Sequence, residues 1–89
     1  MNQHEFEAAL RRDGFGEIVI VERPPNGHLD VHTHPFEARA LILAGEICLH
    51  CDDEEARNFK VGDIFHLAAG QPHTETYGPD GVRYVVGRR

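Results

Sequence analysis

Beyond its first dozen residues the chain never sustains a long apolar run before a turn signal interrupts it, and that punctuation restricts it to short strands. The interruptions are Pro24-Pro25-Asn26-Gly27, Ala44-Gly45, residues 52–55, Val61-Gly62-Asp63, Gly70-Gln71-Pro72 and Gly78-Pro79-Asp80-Gly81. Each supplies a positive φ, a fixed φ or a local side-chain hydrogen bond. Between them, strands are expected over Glu17–Arg23, Leu29–Thr33, Arg39–Leu43, Glu46–Cys51, Asn58–Lys60, Ile64–Leu67, His73–Tyr77 and Val82–Val86. Only the start differs. Asn2 is a good N-cap, and Phe6, Ala9 and Leu10 recur at helical spacing up to Asp13-Gly14. The organisation this predicts is all-β: a short N-terminal helix within residues 1–14, packed on a closed or doubly layered β structure over residues 15–89.

Eighty-nine residues make one domain, and one this short leaves much of its surface wet. Its core is thin, so stability shared with a partner subunit is expected. A hydrophobic fraction of 40% is too high for a disordered segment. The net charge of −6 argues against a nucleic-acid partner, because phosphate contacts need clustered Lys and Arg, and here only Arg11-Arg12 and Arg88-Arg89 are adjacent. No stretch approaches the roughly 20 apolar residues of a membrane span. The first residues lack the basic and apolar regions of a signal peptide, so a cytoplasmic location is expected. Cys48 and Cys51 have no second pair with which to form a zinc ribbon. In a strand they fall on opposite faces and read as small strand residues, with an adventitious metal or redox role as the alternative.

The seven histidines are informative by placement. His32 and His34 stand two apart in an expected strand, so both project from one face and can point at one ion. A third ligand must come from elsewhere, and His73 follows the turn Gly70-Gln71-Pro72 at the start of another strand.

The segment from Gly27 to Glu46 contains, in order, a glycine, His32-Thr33-His34, the acidic Glu37 and an apolar strand closing at Gly45-Glu46. The segment from Gly62 to His73 contains Gly62-Asp63, an apolar strand, Gly70 and a histidine three residues later. Together they resemble the two motifs of the cupin family over roughly residues 15 to 86. The resemblance implies a small jelly-roll β-barrel in which the motifs form facing strands with a metal inside. Carried over by position, it implies His32, His34 and His73 as the metal ligands, and family habit implies a homodimer.

The sequence departs from that pattern in four places. The metal-binding glutamate is expected four residues after the second histidine, where this chain has Ala38. Glu37 is next to it and would face the other way in a regular strand, so it enters as a fourth ligand only if Pro35 disturbs the register. The first glycine is one residue closer to His32 than the usual spacing. Ala68 replaces a proline, and Tyr77 stands where asparagine is frequent. Three neutral imidazoles without a carboxylate would leave the full dipositive charge on the ion, favouring an anionic small-molecule ligand or bound hydroxide. Such a site suits a divalent transition metal, Fe, Zn, Ni, Cu or Mn, and the sequence does not choose among them.

If Ala38 points inward, so do Ala40 and Ile42, and Leu41 and Leu43 then form an outer apolar stripe for the helix or a second subunit to cover. Glu75 and Tyr77 continue the face of His73 and are the candidate catalytic residues, Glu75 as a proton acceptor or as a partner to the ligands. Arg83 and Tyr84, of opposite parity, are further candidates. His28 shares strand parity with His32, His50 and His66 face outward, and His4 lies on the helix. Three functions stay open. The first is a metal-binding cupin of undetermined substrate, including an Fe(II) dioxygenase-like enzyme with three histidines. The second is a barrel that holds a small ligand without chemistry, and the third a dimerising scaffold. A barrel shared by many functions does not supply the reaction.

Overall fold

The computed structural model describes residues 1–52 and 54–89. Of the turn expected over residues 52–55, Asp53 lies outside the described residues. Helix α1 spans Gln3–Arg12 and begins with a capping box, in which the Asn2 side chain accepts from Glu5 N at 2.8 Å while Asn2 N donates to Glu5 Oε1 at 3.0 Å. It ends at Asp13, after which the chain doubles back so that Phe15 N donates to Leu10 O at 2.9 Å. That closing bond carries Phe15 beneath the helix.

Six antiparallel strands follow: β1 Glu17–Arg23, β2 His28–His32, β3 Ala38–Cys51, β4 Arg57–Lys60, β5 Ile64–Leu67 and β6 His73–Arg88. The sequence suggested eight. Arg39–Leu43 and Glu46–Cys51 are one strand, as are His73–Tyr77 and Val82–Val86, because Ala44-Gly45 and the stretch from Gly78 to Gly81 bend their strands without ending them. The β3–β6 ladder slips between Ile42 and Ala44 and again between Gly45 and Ile47. These bulges turn both long strands at one corner. Gly45 (φ 72) permits the approach, since a Cβ there would stand 2.0 Å from Gly81 O.

β3 and β6 pair from end to end except at residues 78–81 of β6, and each bends from one half of the barrel into the other. One half is β1, the end of β6, the start of β3, and β5; the other is β2, the start of β6, the end of β3, and β4. The result is a jelly-roll β fold. Between the halves lies a core that includes Ala38, Ala40, Ile42, Ile47, Leu49 and Phe59. Leu41 and Val85 point the other way, with Leu43 beside them, and pack against Phe6, Leu10 and Phe15. The helix therefore covers the outer apolar stripe of β3. Cys51 joins the barrel core and Cys48 does not, and both are free thiols. Among the described residues no helix is long and apolar enough to cross a membrane.

Candidate metal centre

His32 closes β2 directly opposite His73, the first residue of β6. Upstream, Leu29 pairs with Glu75, so β2 spends three steps where β6 spends two. The extra residue puts Leu29, and not His28, on the inward face. Leu29 accordingly borders the interior cavity, whereas His28 is exposed with Nε2 2.9 Å from Asp30 Oδ1. His34 lies two residues beyond the strand. Its carbonyl accepts from Gly70 N at 2.8 Å, which fastens the β2–β3 connection to the turn that delivers His73. Gln71 braces that turn by accepting from Ala68 N at 3.0 Å through its side chain.

The three rings converge, with centroids 4.9 Å apart for His32 and His34, 4.3 Å for His32 and His73, and 5.3 Å for His34 and His73. Glu75 completes the group: one ligand atom from each of the four residues lies within 4.8 Å of the others, so they can hold a metal ion. His73 and Glu75 are buried, at 1% and 5% exposure, and the two preceding histidines are half-buried.

The hydrogen bonds dictate which nitrogens are free. His32 Nδ1 donates to Asp30 O at 2.7 Å and His73 Nδ1 to Gln71 O at 2.9 Å; a carbonyl has no proton to give, so both Nδ1 atoms carry theirs. In each neutral imidazole Nε2 is then an unprotonated lone pair. These lone pairs face the same carboxylate oxygen, Glu75 Oε2, at 3.0 Å and 3.1 Å. Three electron-rich atoms so arranged repel one another unless a cation stands among them or both rings are protonated. Backbone carbonyls that fix the tautomer of metal-binding histidines are the usual support of such a site.

The other carboxylate oxygen, Glu75 Oε1, accepts from Tyr77 OH at 3.1 Å. Burial, and then the Glu75 charge, push the Tyr77 phenol above its ordinary range. The same causes push Tyr84, which borders the cavity, up to about 12. Both phenols stay protonated near neutral pH, and Tyr77 acts as a donor. Burial, followed by the nearby His32 and His73, pushes His34 below the ordinary histidine range. The cavity beside the cluster is about 50 Å³ in volume, with walls that include Phe36, Ala38, Phe65, Leu67 and Val86. That is room for a few waters or a ligand of a few heavy atoms.

Glu37 is not brought to this group. Its carboxylate lies 2.6 Å from Arg89 Nε and 2.5 Å from His66 Nε2, on the outside. The strand register decides this: Ala38 is buried in the barrel, and its neighbour necessarily faces away. The carboxylate that the structure brings beside the three histidines is Glu75, on β6. The signal was present, since His73-x-Glu75 places two donors on one strand face, whereas His34 reaches the group from the connection after β2. His50 and His4 are exposed, and Arg83 lies on the surface 3.4 Å from Glu22.

A family model described as a cupin domain matches residues 19–86. Among solved structures, the chain is similar to DMSP lyase DddQ from Ruegeria pomeroyi DSS-3, with a TM-score of 0.74 and 26% identity, covering 81% of this chain and 36% of that one. A protein of unknown function from Rhizobium leguminosarum bv. viciae 3841 aligns with a TM-score of 0.75 and 18% identity, over 80% of this chain and 66% of the other. Oxalate decarboxylase of Bacillus subtilis aligns with a TM-score of 0.71 and 19% identity, over 80% and 20%. The chain thus spans about a third of the lyase and a fifth of the decarboxylase. Comparison with curated protein sequences gives no match.

Proposed function

The chain belongs to the cupin family, and on that premise we propose that its barrel binds one divalent transition-metal ion through His32, His34, His73 and Glu75 and presents it to a small-molecule ligand. The observation that carries this reading is the pair of Nε2 lone pairs turned on one carboxylate oxygen, an arrangement that a cation stabilises. Three nitrogens and one oxygen suit Fe, Zn, Ni, Cu or Mn. Mn(II) centres in the B. subtilis oxalate decarboxylase support manganese as one of these. A bound ion supplies Lewis acidity to whatever oxygen it meets.

The chain's own residues set the rest. Asp30 and Gln71 carbonyls hold the His32 and His73 rings in the metal-binding tautomer. Tyr77 holds one oxygen of Glu75, leaving the other for the ion. Phe36, Phe65 and Leu67 keep water from the cavity wall. With Glu75 as a ligand, the site carries one net positive charge instead of two.

A second reading, a barrel that holds its ligand without chemistry, is favoured by one observation. Both oxygens of Glu75 are engaged and Tyr77 is held protonated, so neither catalytic candidate is free as a base. The proposal also includes a homodimer, supported by the exposed apolar side chains Ile20 and Ile64 that flank the helix-covered stripe in register with Val85 and Leu41.

The test is elemental mass spectrometry on untagged protein beside a His32→Ala, His34→Ala double variant. Near-stoichiometric metal that disappears in the variant is the expected result. No metal in either protein after reconstitution would remove the metal reading and leave a barrel that binds or dimerises.

A further inference from the structure

The inward face of the first half-barrel carries a guanidinium at each end. In β1, Val19 and Val21 belong to the core, so Arg23 shares their face; in β6, Val82, Tyr84 and Val86 do the same for Arg88. Both arginines border the cavity that His34 and Glu75 also border. Two cations beside a cluster that itself gathers a cation make an unusual wall for an apolar barrel. Arg23 is exposed and takes part in no ion pair or side-chain hydrogen bond among the described residues, so water answers its charge.

Arg88 gives Nη1 to Glu17 at 2.9 Å, an exposed partner of the kind that contributes little. Its Nε is buried with no partner, the one such side-chain atom among the described residues. A buried donor without an acceptor is costly and calls for an explanation. The position of Arg88 supplies one. Its Cζ lies 4.8 Å over the Phe36 ring, and Phe36 stacks on His34 at 5.0 Å between centroids. One aromatic ring thus separates the guanidinium from a member of the metal cluster.

We propose that this cavity takes a short organic carboxylate, its anionic group held by Arg88, with Arg23 adding charge from the far end of the same wall, and its other end at the His32–His34–His73–Glu75 cluster. The second of these two ends rests on the metal reading; the first does not. A guanidinium fork matches a carboxylate in shape and charge. The apolar wall of Phe36, Phe65, Leu67 and Val86 suits a few carbon atoms between the two ends, and a volume of about 50 Å³ suits a short ligand. Glu17 is displaced from Arg88 at little cost because it lies outside the cavity and in water.

The experiment is calorimetric titration of malonate and succinate, each beside its neutral diamide, into metal-loaded and chelator-treated protein. Arg23→Gln, Arg88→Gln and Glu17→Gln are run in parallel, with circular dichroism to establish that each is folded and elemental analysis to establish that each holds its metal. A dicarboxylate should bind and its diamide should not. Arg88→Gln should weaken it by about tenfold or more and Arg23→Gln by less, while Glu17→Gln, which frees Arg88, should weaken nothing. Binding of the diamide as tightly as the acid, equal binding by the arginine variants, or no binding to the parent protein would overturn the proposal. Arginine-dependent binding in a protein that elemental analysis shows to hold no metal would sustain the anion subsite while removing the metal reading.

Discussion

Two imidazoles whose Nδ1 protons go to backbone carbonyls have one nitrogen each left to offer, and His32 and His73 offer theirs at the same place. Everything distinctive about the site follows from which atoms stand there. Glu75→Gln keeps the shape of the side chain and removes the charge, so chelator competition should show metal affinity falling by about a hundredfold or more, beyond the loss typical of a supporting partner. Tyr77→Phe leaves the four donors intact and frees Glu75 Oε1, so the same titration should show a smaller loss, about tenfold. Equal affinity in Tyr77→Phe and the parent would show that the phenol only fills space. The convergence of the three histidine rings was legible from their spacing and from the family positions they match. Glu75 was assigned a supporting role because the family takes its carboxylate from β3. Nothing in a lone sequence says that a carboxylate from β6 stands among the three histidines where β3 has Ala38.

At the level of elements, α1 is fastened to the barrel twice. Leu10 is fully buried against Phe15, Leu41 and Val85, and Leu10→Ala should cost about 2–5 kcal/mol in denaturant unfolding while leaving metal content unchanged. Loss of metal together with stability would show that the helix supports the site as well as the outer face. The second fastening is ionic. Asp13, at the helix end, meets Arg39 at 2.7 Å, and Arg89 joins the Asp13 carbonyl to Glu37.

The Arg39 hydrogen bond holds Asp13 below the ordinary carboxylate range, and the Arg89 and His66 hydrogen bonds do the same for Glu37. Folded carboxyls with lowered pKa contribute stability above the unfolded range and lose it as pH falls through the folded value. The melting temperature should therefore drop progressively below about pH 5, and Glu37→Gln should flatten that drop. An unchanged acid limb in the variant would mean the pair is too well solvated to matter. The strands themselves were largely legible from alternation and punctuation; β1 and β5 match the expected spans. The missed continuity of β3 and β6 has one cause. Gly-rich stretches mark a reversal and a bulge alike, and only the partner strand distinguishes them.

On the scale of the molecule, the proposed ion joins the β2–β3 connection to the start of β6, regions that are otherwise linked by backbone pairing and the bond from Gly70 N to His34 O. A ligand that binds only the folded state stabilises it by about 3 kcal/mol at a hundred times its dissociation constant. In a domain this small, chelation should lower the melting temperature by on the order of 10–20 °C. The His32→Ala, His34→Ala variant should show no such response, and a chelator effect that persisted there would point to a different binding place.

The corner where β3 and β6 bend has a bearing on how mutational surveys of this barrel will read. An alanine scan is designed to remove side chains and record what is lost, but at Gly45 it adds an atom 2.0 Å from the Gly81 carbonyl oxygen, in a backbone conformation that side chains rarely adopt. In a saturation library scored for folding, Gly45 should be a nearly empty row beside a permissive one at the exposed Ala44. Some of the least replaceable positions of this barrel will therefore be ones that touch neither metal nor ligand and have no side chain to lose.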